Sequence, residues 1–549
     1  MDLIYKKFAE ETFYPDGRLK TIQLHADEDY NFGFDVVDAI ADKTPDKRAM
    51  IWLSNDFEEK IFTFKDMKEY SNRTVNYFKS LGFKKGQKAL LILKRHYQFW
   101  FIILALHKLG VIVIPATYQL VEKDLTYRFN KAEIDAVIAT ADGQVSDEID
   151  KALKDSPTVK TKVIVNGEKK GWENYNQHMP RFSPIYERPT DGTAPKRDEL
   201  MLMYFTSGTT DYPKIAAHKH TYSLGHLVTG RYWHNVDPNG IHFTISDTGW
   251  GKAVWGKLYG QWLSESCVFT YDFDKFDSKK ILPLFKKYQI TTFCAPPTMY
   301  RFFIKDNLRD YDLSSLNYAT TAGEALNPEV FNRFKEYTGL SVREGFGQTE
   351  CTLLIGNLVG DKIKLGSMGR ANPQYNVVLV DKNDNEVSPG DVGEIAVRIN
   401  TEEPYGVYEC YYNDPEKTSA AKCNGLYHTG DTAWIDEDGY FWYVGRTDDL
   451  IKSSGYRISP FEIESVIMEL PYVLECAVIG VPDSIRGQLV KAIIVLTNGK
   501  QGNDELKKEV QNYVKKHTAP YKYPRVVEFV DELPKTISGK IRRAELREK

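Results

Sequence analysis

The sequence predicts an α/β protein joined to an α+β unit. A large N-terminal domain of mixed and parallel sheets with flanking helices and a β-rich subdomain is expected over 1–447. A small, mobile α+β domain is expected over 448–549. Three observations predict this. Short β-rich runs alternate with helix-length segments over the first 350 or so residues, the pattern of βαβ crossovers and parallel sheets. From about 377 to 444, apolar runs follow one another across turn signals, which reads as antiparallel β. Beyond 448 the runs shorten around a single helix. A chain of 549 residues holds roughly three to four domains' worth at about 150 residues each, ample for large buried cores.

The elements follow in order. ALLIL (89–93) reads as a strand, and a helical stretch runs from there to Leu109. Its apolar part, FWFIILAL (99–106), lies between KRH and HK and is too short to span a bilayer. VIVI (111–114), DAVIA (135–139), VIV (163–165), MLMYFTS (201–207), HFTIS (242–246), CVFTY (267–271), ITTFCAP (290–296) and YATTAG (318–323) are further strands, with a helix at 329–339. NVVLVD, GEIAVRI and YFWYVGR, separated by NDN, SPGD and EDG, form the antiparallel part. VLECAVIGV, KAIIVLT, a helix over 504–516 and RVVEFV make the last unit.

Composition narrows the class. Lys+Arg is 72 and Asp+Glu 76, a net charge of −4, which lacks the basic excess of a general nucleic-acid binder. Hydrophobic residues are 42% and charged residues 27%, too apolar for a disordered chain. Six cysteines cannot form a disulfide framework at this length, and Cys267, Cys294, Cys351 and Cys476 fall in or beside apolar runs as reduced core residues. With no CxxC pair, a structural zinc site is not expected. The N-terminus, MDLIYKKFAEETFYPDGRLK, has no apolar h-region and carries acids early, so it reads as neither a secretory signal nor a transit peptide. These features predict a soluble, cytoplasmic protein.

Five segments can carry chemistry. TSGTTDYPK (206–214) follows an apolar strand; its hydroxyls, glycine and backbone N–H groups suit a phosphate, with Lys214 at the far end. It is not a Walker A loop, and alone it equally describes a polar surface loop. EGFGQTE (344–350) lets a flat ligand approach the backbone, with Phe346 available for stacking. Glu350 is a hard oxygen donor suited to Mg²⁺ beside phosphates. In YHTGD (427–431) a carboxylate after a tight Gly turn can hold two ribose hydroxyls, though Asp is also an ordinary turn residue. GRTDDLIKSSGYRISPFEIE (445–464) and PKTISGKIRR (534–543) are polar, basic and Gly-containing; Lys540 stands beside Gly539 on a loop near the C-terminus.

Taken in this order, TSGTT…PK, GFGQTE, YHTGD, GRTDDLIKSSGYRI and PKTISGK resemble the motif series of the adenylate-forming superfamily. Within it the chain is similar to AMP-forming acyl-CoA synthetases of the medium-chain type. The resemblance runs from about residue 35 to the C-terminus and extends to SDTGWGK (246–252), CAPPT (294–298) and GEAL (323–326). It implies activation of a carboxylate by ATP to acyl-AMP and pyrophosphate, then transfer to coenzyme A, by positioning and electrostatic stabilisation. It implies that Thr206, Ser207, Gly208, Thr209, Thr210 and Lys214 hold the β- and γ-phosphates. Glu350 would bind Mg²⁺ and Thr349 touch the α-phosphate. Gly323, Glu324 and Ala325 with Glu344, Gly345 and Phe346 would line the adenine slot, and Asp431 and Arg446 hold the ribose. Lys540 would bridge the substrate carboxylate and the α-phosphate as a compact point charge. For the second half-reaction the small domain would rotate about a hinge at Asp448. Ser454, Gly455, Tyr456 and Arg457 would then line the pantetheine tunnel, with Arg486 and Arg525 as contacts for the CoA nucleotide.

Two departures matter. The family loop reads TSGTTGxPK, and here Asp211 replaces the second glycine; Asp tolerates positive φ, but a carboxylate near polyphosphate is repulsive. Acetate-specific relatives place a tryptophan before the QTE triplet, where this chain has Gly347. The implied acyl pocket is open at Gly347, walled by Trp250, and suited to propionate-sized, medium-chain or branched acids. Lys252 reads as a solvated lysine or as a contact for CoA or a polar acid. Competing readings are an aryl-acid or other carboxylate-adenylating ligase, a peptide-synthetase adenylation domain, a luciferase-like oxygenase, and a catalytically weak nucleotide-binding homologue. No nucleic-acid partner and no membrane span are expected.

Overall fold

The computed structural model describes residues 2–206, 213–324, 326–400, 403–454, 456–497, 499–535 and 541–548. The fold class is the expected one: a large mixed-sheet domain and a smaller α+β unit. In spatial order the first sheet runs Cys410–Tyr411, Ile215–Lys219, Leu200–Phe205, Ile112–Pro115, Lys88–Ile92, Ala136–Thr140, Thr161–Val165 and Glu173–Asn174. It is parallel from Leu200–Phe205 onward, while Leu200–Phe205 and Ile215–Lys219 pair antiparallel as a hairpin. The second sheet runs Arg370–Ala371, Leu353–Gly356, Val342–Gly347, Tyr318–Ala322, Thr292–Cys294, Ile241–Thr244, Cys267–Asp272, Arg48–Ser54 and Glu59–Thr63. Its middle is parallel, and both faces of those strands are covered, which is why they read as near-continuous apolar runs.

Helices Phe64–Ser80 and Gln98–Leu109 pack against each other in the core that both sheets share. A capping box between Thr63 and Asp66 starts the first. Every residue of the second is buried, so FWFIILAL is apolar all round because it is a core helix. Gly110, at φ 70, ends it in the left-handed region, where glycine carries no Cβ penalty. Among the described residues no helix is long and apolar enough to cross a membrane.

The third sheet pairs Val377–Val380, Gly393–Arg398, Leu426–Ile435 and Lys422–Cys423, with Phe441–Arg446 beside Leu426–Ile435, all antiparallel. Trp434 and Trp442 stand directly opposite each other and stack at 5.3 Å with planes 7° apart. The fourth sheet, in the small unit, orders Tyr456–Ile458, Ile451–Ser453, Gly487–Leu496 and Val473–Asp483, with Val526–Val530 parallel to Gly487–Leu496.

Two expectations change here. YHTGD is not a turn but part of the long strand Leu426–Ile435. The register shifts between Glu394 and Ala396 opposite it, and Gly430 sits at φ 73; this bulge aims Asp431. The N-terminal stretch is also part of the fold. Ala9–Phe13 and Leu19–Leu24 form a hairpin, Ile4 and Tyr5 are buried, and the Ile4 N–H donates to Glu265 at 2.8 Å. Of the acids near the N-terminus, Glu11 is held within this fold, accepting from Tyr5 Oη at 3.2 Å and Tyr232 Oη at 2.5 Å.

Candidate active site

Thr206 follows the strand Leu200–Phe205, and its N–H donates to the Lys214 carbonyl at 2.8 Å. This bond ties the first and last residues of the TSGTTDYPK segment together. Ser207, Gly208, Thr209, Thr210 and Asp211 lie outside the described residues. The Lys214 ammonium is 4.5 Å from the centre of the Tyr411 ring, and Tyr411 Oη donates to Glu350 Oε1 at 2.8 Å. Burial and the Glu350 charge both push the Tyr411 phenol up, so it stays a donor. One tyrosine thus joins Lys214 to the carboxylate of the QTE triplet. Next to it, His218 Nε2 donates to the Thr349 carbonyl at 2.9 Å; burial pushes the His218 imidazole down to about 3, so the ring is neutral.

Parallel pairing sets Thr321 beside Glu344 and Ala322 beside Gly345. Gly323, at φ 98, then turns the chain out of its strand. Glu324 accepts from Thr298 Oγ1 at 3.3 Å; Ala325 lies outside the described residues. Glu344 does more than line a slot: its Oε1 accepts the Leu326 N–H at 2.9 Å, and burial pushes its carboxyl up to about 7. It fastens Leu326 to the strand that carries Gly345 and Phe346. The Phe346 ring lies 6.3 Å from Tyr443.

Asp431 is buried and its carboxylate is held from several sides. Tyr443 Oη donates to Oδ1 at 2.9 Å. Gln348 Nε2 donates to Oδ2, and Arg446 Nη1 lies 3.4 Å from it. Gln348 in turn accepts from Tyr427 Oη at 2.6 Å. The QTE triplet and the YHTGD strand are therefore one hydrogen-bonded unit, with Asp431 and Arg446 opposite each other across the sheet.

The acyl-side expectation fails in one respect. A Cβ on Gly347 would stand 2.3 Å from Trp255 Cη2 and 2.4 Å from the Thr352 carbonyl. The space beside Gly347 is filled, because the missing side chain admits the Trp255 indole from helix Gly251–Lys257. Trp250 is half-buried at the start of that helix. Lys252 is not a solvated lysine: it is partly buried and donates to the Ala322 carbonyl at 2.7 Å, next to Gly323. Tyr411, Gln348, Tyr443 and Trp255 went unread in the sequence; Gln348 alone had a signal, lying inside GFGQTE.

In the small unit, Asp448 is exposed and 3.5 Å from Arg446 Nε. The Ser454 N–H donates to the Arg486 carbonyl at 2.8 Å, and Arg486 Nη1 donates back to Ser454 Oγ at 3.2 Å. Tyr456 is exposed and stacks on Tyr521 at 4.0 Å. Arg457 is on strand Tyr456–Ile458. Arg525 donates to Tyr523 Oη at 2.7 Å. Gly455 and Lys540 lie outside the described residues. Shortly after Lys540 in the chain, Arg543 donates to both Glu464 oxygens at 2.7 and 2.8 Å, and Arg547 pairs with Asp449.

The AMP-binding enzyme family matches residues 37–412, and the AMP-binding enzyme C-terminal domain matches 462–540. The chain is 39% identical over 537 residues to the acyl-coenzyme A synthetase ACSM3, mitochondrial, of Homo sapiens, covering 96% of this chain and 91% of that protein. It is 40% identical over 530 residues to the human ACSM5, mitochondrial, covering 95% and 90%. Among solved structures it is similar to the anthranilate CoA ligase AuaEII in complex with anthranoyl-AMP, at TM-score 0.86 and 27% identity over 94% of this chain and 97% of that one. A Brucella canis acyl-CoA synthetase matches at TM-score 0.72 and 28% identity, over 94% of each chain. The mitochondrial names of these relatives overturn the cytoplasmic expectation, which rested on N-terminal residues that belong to the fold. The chain belongs to the AMP-binding enzyme family, as an AMP-forming carboxylate–CoA ligase of the acyl-coenzyme A synthetase kind.

Proposed function

We propose that the protein activates a short- to medium-chain or branched carboxylic acid with ATP, releases pyrophosphate, and passes the acyl group from acyl-AMP to coenzyme A. The observation that carries this reading is the Lys214–Tyr411–Glu350 bridge together with the Gln348–Asp431 bond, which gather three motifs onto one face. Lys214 and the 206–210 loop bind the β- and γ-phosphates. Thr349 lies at the α-phosphate. Gly323, Glu324, Ala325, Gly345 and Phe346 bound the adenine, with Glu344 supporting them. Asp431, acceptor-only once ionised, takes the ribose hydroxyls. The donor set fits Mg²⁺: Tyr411 holds one Glu350 oxygen and leaves the other to a hard cation. Bound there, Mg²⁺ would offset polyphosphate charge. Lys540 joins the two substrates during adenylation. The domain beginning at 448 then turns about Asp448 and brings Ser454, Gly455, Tyr456 and Arg457 to the thioester step, with Arg486 and Arg525 toward the CoA nucleotide.

Trp250, Trp255 and Gly347 wall the acyl site in this reading, so tail length is set by the indoles. ATP–pyrophosphate exchange across acetate, propionate, butyrate, branched C4–C5 acids, octanoate and benzoate tests it. Exchange with aliphatic acids above acetate is the expected result. Exchange with benzoate alone would make the protein an aryl-acid ligase, and none with any acid would leave a nucleotide-binding homologue.

A further inference from the structure

The third sheet brings together three side chains that the proposed reaction does not use. Asp384 stands in the turn after strand Val377–Val380, at φ 63. Cys423 ends strand Lys422–Cys423, and His428 is on Leu426–Ile435. A carboxylate oxygen, the Cys423 Sγ and an imidazole nitrogen all lie within 4.8 Å of one another. The imidazole is already oriented. Its Nδ1 edge faces Glu394 Oε2 at 3.3 Å. Its Nε2 is buried without a hydrogen-bond partner and stands 3.6 Å from Asp384 Oδ1, too far for a hydrogen bond. An N–H directed at Glu394 leaves the Nε2 lone pair facing Asp384 and Cys423.

We propose that Asp384, Cys423 and His428 form a binding site for a divalent cation of the zinc type, with water as the fourth ligand and Glu394 orienting the imidazole. The ligand set selects the ion. Mixed nitrogen, sulfur and oxygen donors suit Zn²⁺, whereas Mg²⁺ and Ca²⁺ take oxygens. Zinc bonds of about 2.0–2.1 Å at a tetrahedral angle put nitrogen and oxygen ligands about 3.4 Å apart, close to the 3.6 Å observed. A carboxylate on the far ring nitrogen is the usual support of a metal-bound histidine.

The frame is built to hold this shape. Asn424 and Gly425, at φ 50 and 73, make the two-residue hairpin turn that pairs Cys423 with Leu426. Asn424 Nδ2 donates to Asp384 Oδ2 at 2.5 Å, which leaves Oδ1 toward His428. Charge points the same way. Among the described residues, the His428 ring is the only basic group paired with Asp384 or Glu394. The ligands come from two chain segments, Asp384 and the hairpin of Cys423 and His428, with no CxxC, so spacing alone pointed away from such a site.

The test is independent of the acid the enzyme activates. Full-length protein, stripped of metal with a chelator, is titrated with Co²⁺ and then Zn²⁺. The expected result is a thiolate-to-cobalt charge-transfer band that saturates at one equivalent and is displaced by Zn²⁺. Cys423→Ser should abolish the band, and Cys410→Ser, at the other cysteine that is not fully buried, should leave it. Glu394→Gln should weaken Co²⁺ binding by about 10–100-fold, with the near-ultraviolet circular dichroism of each variant showing that it is folded. A wild-type protein without the band, or a band that survives Cys423→Ser, overturns the proposal; unchanged Co²⁺ affinity in Glu394→Gln removes Glu394 from it.

Discussion

At the residue scale, the pair Gly347 and Trp255 shows how a missing side chain is used. Gly347 gives its space to an indole that is itself 7% exposed and packs near Trp233 and His226. Trp255→Ala should therefore do two things. It should cost about 3–5 kcal/mol of stability, and it should raise kcat/KM for longer acids, by a factor of about four for each methylene that enters the space. Thermal unfolding and a chain-length series measure both; lost stability with an unchanged acid profile would make Trp255 a core residue only. Gly347→Trp should fail to fold, because its indole would occupy the same volume. Lys257 is a second informative residue. It is buried and donates to the Ser246 carbonyl at 2.7 Å. Burial first, then the Arg95 charge, push its pKa down to about 7, against Asp247 and Asp272. Between about pH 7 and its ordinary value of 10.5, the unfolded chain holds this proton and the folded one does not. Its contribution thus makes stability rise with pH across that window. The increase from pH 7.5 to 9.5 should be smaller in Lys257→Met than in the parent, as read from paired urea midpoints.

At the element scale, the parallel strands were legible because burial on both faces writes a continuous apolar run. The strand Leu426–Ile435 was not. Thr429 and Gly430 look like turn residues, and only pairing with Gly393–Arg398 reveals a bulged strand. The motif singled out Asp431 as a candidate, but nothing local recorded its support: Gln348 and Tyr443 reach it by sheet pairing and a strand end. The same holds for Trp255 beside Gly347, where a helix meets a strand end far along the chain. Helix Pro460–Ile467 carries another such contact. Glu464 is buried, accepts the Val478 N–H at 2.8 Å, and takes both Arg543 bonds. Glu464→Gln leaves the guanidinium with only the longer 3.8 Å contact to Asp449, and breaking a buried pair costs about 3–5 kcal/mol. The small unit should then melt earlier than the large domain, giving a split calorimetric transition and slower adenylation, since Arg543 stands just after the Lys540 loop. A single transition at the parent temperature would refute this.

For the whole molecule, the proposed rotation about Asp448 divides the two half-reactions between two arrangements of the same site. Lys540→Ala should lower acyl-AMP formation by about 10²–10³-fold, the usual cost of one preorganised charge contact. Thioester formation from synthetic acyl-AMP should be largely spared. Equal loss in both steps would show that one arrangement serves both.

The stacked pair Trp434 and Trp442 gives that sheet an optical signature of its own. Two indoles at 5.3 Å and 7° share their excited states, so they produce a coupled circular-dichroism couplet unlike the summed signal of the rest of the nine tryptophans. Because the pair sits on the strands that carry Asp431 and Arg446, the couplet reports from within the fold whether that sheet is intact.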